Sequence, residues 1–211
     1  MMLKVRILED AYWHICTKME TKLIKTKKKK TNELREEIGI PEGINTELTE
    51  NKLTMKKEGE ELNLEMHPFI NARIEKDKII IGAKRSRRTE KRLFGTMKAH
   101  IKNMIKGLTE GFTYKLKIVN VHFPINVSHD KISNELIVKN FLGEKKDRRI
   151  KLDKDVSVKI ENDTIEVSSF NIEKAGQVAT NIEKGTKVRN KDRRVFQDGI
   201  FIVEKPGRVY L

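Results

Sequence analysis

Two stretches of this chain concentrate side chains that can hold anions. Lys84-Arg85-Ser86-Arg87-Arg88-Thr89-Glu90-Lys91-Arg92 carries six cations against one acid, and Lys184 to Arg194 repeats that count. Arginine offers a planar fork of donors matched to phosphate oxygens, and lysine adds a compact charge, so each cluster can neutralise a phosphodiester backbone. A solvated basic face is the plain alternative for either cluster alone. Two such clusters on a chain of net charge +14 and pI ≈ 9.7 favour a nucleic-acid partner. Arg87 and Arg88 stand where a helix begins, at its positive dipole end, so a bound phosphate there would offset an otherwise unfavourable field.

Other chemistry finds little to stand on. His14, His67, His100, His122 and His129 have no metal-ligand spacing, and none neighbours the single cysteine, Cys16. Gly107 to Gly111 and Gly143 to Lys146 lack the phosphate-loop patterns and read as helix-end and turn glycines. Carboxylates are interleaved with lysines, so no pair stands out for acid–base work. The expectation is a chain that is not an enzyme, with no cofactor, no metal and no small-molecule substrate. The sequons at Asn126 and Asn162 are chance matches. A lone cysteine fits a reducing cytoplasm. No stretch approaches the ~20 apolar residues that span a bilayer, so no membrane role is expected, and the N-terminus lacks the apolar run of an export signal. Aromatic residues make up 6%, and Phe69, Phe112, Phe123, Phe141, Phe170 and Phe201 sit among aliphatics as core residues do. Binding through phosphates and RNA shape, rather than base stacking, is therefore expected.

The elements that must position the clusters come in duplicate. Ile74-Glu75-Lys76-Asp77-Lys78-Ile79-Ile80-Ile81 and Ile160-Glu161-Asn162-Asp163-Thr164-Ile165-Glu166-Val167 share one pattern, alternating aliphatics around a polar pair, which predicts a tight hairpin in each. Ile44-Asn45 pairs with Ile125-Asn126 upstream, and Glu90-Lys91 with Glu173-Lys174 downstream. After the first hairpin, Leu93, Met97, Ile101 and Ile105, widened by Phe94, Met104 and Leu108, predict a helix with Gly107 as its C-cap. After the second, Ile172, Ala175, Ala179 and Ile182 predict a narrower one ending at Gly185. Alternation in Leu62 to Met66 and Leu136 to Phe141 supplies strands for each helix to cover. The fold class is α+β, two tandem similar domains, each an antiparallel β-sheet with a helix packed on one face.

Composition and repeat together divide the chain. Residues 1–34, with nine basic residues against four acidic and the run Lys27 to Lys30, read as a basic N-terminal extension. Residues 35–119 form the first repeat and 120–211 the second, with the strand from Tyr114 to Val121 closing the first or joining the two. Basic residues outnumber acidic eighteen to thirteen in the first repeat and eighteen to fourteen in the second.

Several longer motifs then carry a resemblance: Asn103-Met104-Ile105-Lys106-Gly107 followed by Gly111-Phe112, His122-Phe123-Pro124-Ile125-Asn126-Val127, Asn140-Phe141-Leu142-Gly143-Glu144-Lys145 with Arg148-Arg149, and Asn190-Lys191-Asp192 with Asp198-Gly199-Ile200. From about residue 36 to 205 the chain resembles the archaeal and eukaryotic branch of the universal large-subunit ribosomal protein six family. The resemblance implies a cytoplasmic structural constituent of the large ribosomal subunit that supports translation. It implies binding to large-subunit rRNA near the sarcin–ricin loop and the base of the factor-binding stalk, with neighbouring large-subunit proteins as partners and translation factors nearby. It assigns the main rRNA contact to the C-terminal repeat, on Lys187, Arg189, Asn190, Lys191, Arg193 and Arg194, with Asp198 and Gly199 shaping the adjacent turn. Lys145, Lys146, Arg148 and Arg149 join the expected RNA-binding set, as do Lys84, Arg85, Arg87 and Arg88 of the first cluster. Residues 1–34 depart from the family pattern.

Overall fold

The computed structural model describes residues 34–49, 51–75, 77–83 and 87–210. The basic extension, apart from Leu34, lies outside the described residues, as do Lys76, Lys84 and Arg85.

Both hairpins form where the alternation places them. In the first repeat β5 (Ile70–Glu75) pairs with β6 (Lys78–Ala83), Glu75 facing Lys78. In the second, β11 (Ser157–Glu161) pairs with β12 (Thr164–Ser169), Glu161 facing Thr164. Asn162 sits in that turn at φ +47, a left-handed conformation its short side chain tolerates.

Around these hairpins each repeat builds two sheets, one more than the alternation alone predicts. In the first, β1 (Leu34–Gly39) pairs antiparallel with β6, giving the order β1-β6-β5, and β2 (Asn45–Thr49), β3 (Lys52–Lys57) and β4 (Glu60–Glu65) form a meander. In the second, β7 (Phe112–Val119) takes the place of β1, giving β7-β12-β11, and β8 (Asn126–Asp130), β9 (Glu135–Lys139) and β10 (Arg148–Lys151) take the places of β2 to β4. A 3-10 turn, Phe141–Gly143, separates β9 from β10. The second repeat then adds β13 (Gly199–Lys205) and β14 (Arg208–Val209), completing the five-stranded order β11-β12-β7-β13-β14.

Helix α1 (Arg88–Glu110) comes after β6 and helix α2 (Ile172–Gly185) after β12. Phe94, Ile101 and Leu108, spaced at two-turn intervals, are buried on α1 against Leu53, Met55, Ile79 and Ile81. On α2, Ala175, Val178, Ala179 and Ile182 are buried against Leu116, Ile165 and Val167. Each fully buried aliphatic contributes about 1.5–3 kcal/mol, so these two cores carry most of the stabilisation.

Three expectations change. Packing switches from one core to the other at Gly111 rather than after residue 119: all of β7 pairs with β12 or β13, and Tyr114, Leu116 and Ile118 of its alternating face lie in the second core. Gly107 is interior to α1 and the cap is Gly111 at φ +73. Gly107 is small for a tertiary reason, since a Cβ there would collide with the Phe170 carbonyl oxygen at the entry to α2. The same surface brings His100 Nδ1 within 2.9 Å of Glu173 Oε1, joining the two repeats. Finally, Phe112 and Phe141 are buried as expected, but Phe69, Phe123, Phe170 and Phe201 are exposed.

Candidate nucleic-acid interface

The second cationic cluster occupies the connection from α2 to β13. Its two ends are fastened by one buried hydroxyl: Thr186 Oγ1 donates to Ile182 O at 3.1 Å and accepts from Ile200 N at 3.1 Å. Within the loop, Asn190 adopts φ +57, and Asp192 closes a turn by accepting from Arg194 N at 2.9 Å on its carboxylate and from Phe196 N at 2.9 Å on its carbonyl.

At the far end Asp198, 1% exposed, ties the loop to the β7–β8 connection. Its Oδ1 accepts from Val121 N at 2.7 Å and His122 N at 2.9 Å, and its Oδ2 lies 2.7 Å from His122 Nδ1. Burial pushes the Asp198 carboxyl up, but the hydrogen bonds from His122 and Val121 outweigh it, and its pKa lies below the ordinary aspartate value. The carboxylate is thus ionised at neutral pH, so His122 carries its proton on Nδ1. The His122 ring stacks at 5.0 Å on Phe196, whose other neighbour is the Lys191 ammonium at 4.7 Å.

Arg148 fastens the loop from the other side. Its guanidinium lies 4.0 Å over the Phe141 ring, donates to both carboxylate oxygens of Glu144 at 2.9 and 2.6 Å, and donates to Gly185 O at 2.9 Å and Lys187 O at 3.2 Å. A cation at the last carbonyls of a helix meets both their unpaired oxygens and the negative dipole end. The Glu144 carboxyl is held below its usual range, chiefly by the Arg148 hydrogen bond, with Lys191 adding to it. Arg148 is therefore occupied internally, whereas Lys145, Lys146 and Arg149 beside it are exposed.

Lys187, Arg189, Asn190, Lys191, Arg193 and Arg194 are all exposed, and no carboxylate of the described residues pairs with any of the five cations among them. A loop of exposed cations tied at both ends results, with Lys145, Lys146 and Arg149 alongside.

The first cluster is built differently. Arg87 and Arg88 are exposed at the start of α1, where Glu90, only 9% exposed, accepts from Arg87 N at 3.1 Å. The anion that this helix start calls for is thus supplied by the chain itself, and the argument for a bound phosphate there weakens. From Arg88 to His100, where α1 meets the second repeat, the helix runs about 18 Å. The structure therefore brings the 145–149 and 187–194 segments together and leaves Arg87 and Arg88 apart from them.

Sequence patterns marked His122, Asp198 and Gly199 through the family motifs but gave no sign of Thr186, of the Asp198–His122 contact or of the role of Arg148. Their partners lie far along the chain or on backbone atoms, so no local spacing encodes them. Among the described residues no group of three or more His, Cys, Asp or Glu could hold a metal ion, and no helix is long and apolar enough to cross a membrane.

Residues 123–199 match the family model described as Ribosomal protein L6. A "Large ribosomal subunit protein uL6" of Methanococcus vannielii is 41% identical over 177 residues, covering 83% of this chain and 96% of that protein. The protein of the same name from Methanobrevibacter smithii is 37% identical over 173 residues, covering 82% and 96%.

Proposed function

For a chain that belongs to the uL6 family of large ribosomal subunit proteins, in its archaeal branch, we propose that the second repeat is the principal rRNA-binding unit, anchored by its 187–194 loop. Lys187, Arg189, Asn190, Lys191, Arg193 and Arg194 contact the phosphate backbone, and Lys145, Lys146 and Arg149 extend the contact. Arg148 and Asp198 act as positioning residues. Arg87 and Arg88, continuing the sequence cluster of Lys84 and Arg85, form a separate and weaker contact on the first repeat. On the subunit the protein lies near the sarcin–ricin loop and the stalk base, beside other large-subunit proteins and within reach of translation factors. It works in the cytoplasm as a structural element and carries out no reaction of its own.

The observation that carries this reading is a loop of exposed, unpaired cations whose backbone is tied at both ends by buried or half-buried hydrogen bonds. Ordering long cationic side chains costs conformational entropy on binding, and a preset backbone lowers that cost. Each phosphate neutralised releases counterions, so affinity for rRNA falls steeply with salt. In the full-length chain, replacing Arg193 and Arg194 together by Ala flattens the log–log salt dependence of binding to a large-subunit rRNA transcript by about one to two units. An unchanged slope removes this loop as the anchor.

A further inference from the structure

Behind the cationic loop lies a cleft of ≈ 700 Å³, with Val119, Val188, Ile200 and Phe201 among the residues of its apolar wall and Lys184, Lys187 and Arg193 among its cations. Phe201 stands on β13, 37% exposed, although its neighbour on the strand, Ile200, is 1% exposed. Its ring forms part of an open apolar wall beside the charged loop, a surface that a bound partner would cover. The cleft is much larger than a phosphate needs and falls in the range of small-molecule-sized sites.

Resting on the rRNA-binding reading above, we propose that this cleft receives one unstacked nucleotide of the bound RNA, its base against the Phe201 ring and its phosphate on the Lys187 and Arg193 side. Two features argue for a nucleotide over an apolar protein side chain. Lys184, Lys187 and Arg193 outnumber the two carboxylates of the cleft, Glu183 and the buried Asp198 that His122 and Val121 already occupy, so the cations complement a phosphate and would be left unpaired by a plain hydrocarbon. The wall also includes Gln197, whose amide nitrogen donates to Arg194 O at 3.1 Å while its carbonyl oxygen has no partner among the described residues, leaving an acceptor for a base edge. Stacking on an aromatic tolerates any base, so the cleft adds affinity and selects for an unpaired position rather than a particular letter.

The test uses the full-length chain and a large-subunit rRNA transcript, with binding measured across a salt series. Phe201→Ala weakens binding roughly tenfold with the salt slope unchanged, because a stacking contact is lost and no phosphate contact is, and Phe201→Trp restores it. If Phe201→Ala binds as the unaltered chain does, the cleft holds no base and is left for a protein neighbour. If the weakening comes with a shallower slope, or if Trp fails to restore binding, the ring acts by holding the cationic loop and the proposal is overturned. Loss of the steep slope in the unaltered chain would instead overturn the anchor reading, which separates the two failures.

Discussion

After α1 a single residue, Gly111, precedes the next strand, while after α2 the chain runs from Thr186 to Asp198 before β13 begins. The repeats share the order β1-β6-β5 and β7-β12-β11, the three-stranded meander and the helix, so the scaffold is duplicated faithfully. The connection leaving the helix is not duplicated. In the second repeat the chain returns to its own first strand, and the return path bears the unpaired cations; in the first it leaves at once to become β7. A duplicated fold therefore acquires its binding surface from one connection, and the first repeat, lacking that connection, carries its cations before the helix instead.

The largest effect is expected from cutting the ties of the second connection, set against the tie of the first. Asp198→Ala strands two backbone N–H groups and the His122 ring, and denaturant unfolding is expected to register a loss of about 3 kcal/mol. Glu90→Ala, which removes the equivalent anchor at the start of α1, costs about 1 kcal/mol. The Asp198 contribution also has a pH signature. Its folded pKa is lowered, so its stabilisation is complete above the unfolded value of about 3.9 and disappears as pH falls through the folded one. The gap between the unaltered chain and Asp198→Asn therefore closes on acidification below about pH 4.

Next in size is the seam between the repeats. Replacing a helical glycine by alanine ordinarily gains up to about 1 kcal/mol. At Gly95, with nothing within 4 Å of the added Cβ, that gain is expected in thermal melting. At Gly107 the same change drives a Cβ onto a backbone carbonyl, and an overpacking cost of about 1–3 kcal/mol reverses the sign. Equal effects at the two glycines would mean that α1 does not pack closely on Phe170.

Arg148→Ala should cost about 2 kcal/mol in the same melts, since Gly185 O, Lys187 O and Glu144 all lose a charged donor. Arg148→Lys recovers only part, because one ammonium cannot reproduce the fork. The smallest effect is expected from Arg87→Ala with Arg88→Ala: a shift in salt slope below that of the Arg193 and Arg194 pair. A larger one would reverse the ranking of the two clusters.

Hairpins and helices were legible because their signals are local: Asn162-Asp163 sits between alternating aliphatics, and Phe94, Ile101 and Leu108 mark one helix face. The allegiance of β7 was not legible, since its alternation reads identically whichever sheet receives it and both partners, β12 and β13, lie far along the chain. Gly107 is ambiguous for a related reason, as a glycine near a helix end looks the same whether it caps the helix or lets a distant carbonyl approach. The cationic residues of the site were visible as composition and motif. The side chains that hold them, Thr186, Arg148 and the Asp198–His122 pair, work through contacts across the fold, as does the exposure of Phe201.

The strand fused to the end of α1 also imposes an order on synthesis. As the chain emerges, Tyr114, Leu116 and Ile118 appear attached to a first repeat whose core does not include them, and their apolar side stays bare until β12 and then β13 leave the exit tunnel. Such an interval is when aggregation competes with folding. A product released at Glu110 would end cleanly, whereas one released at Val119 would trail an unclaimed sticky ribbon.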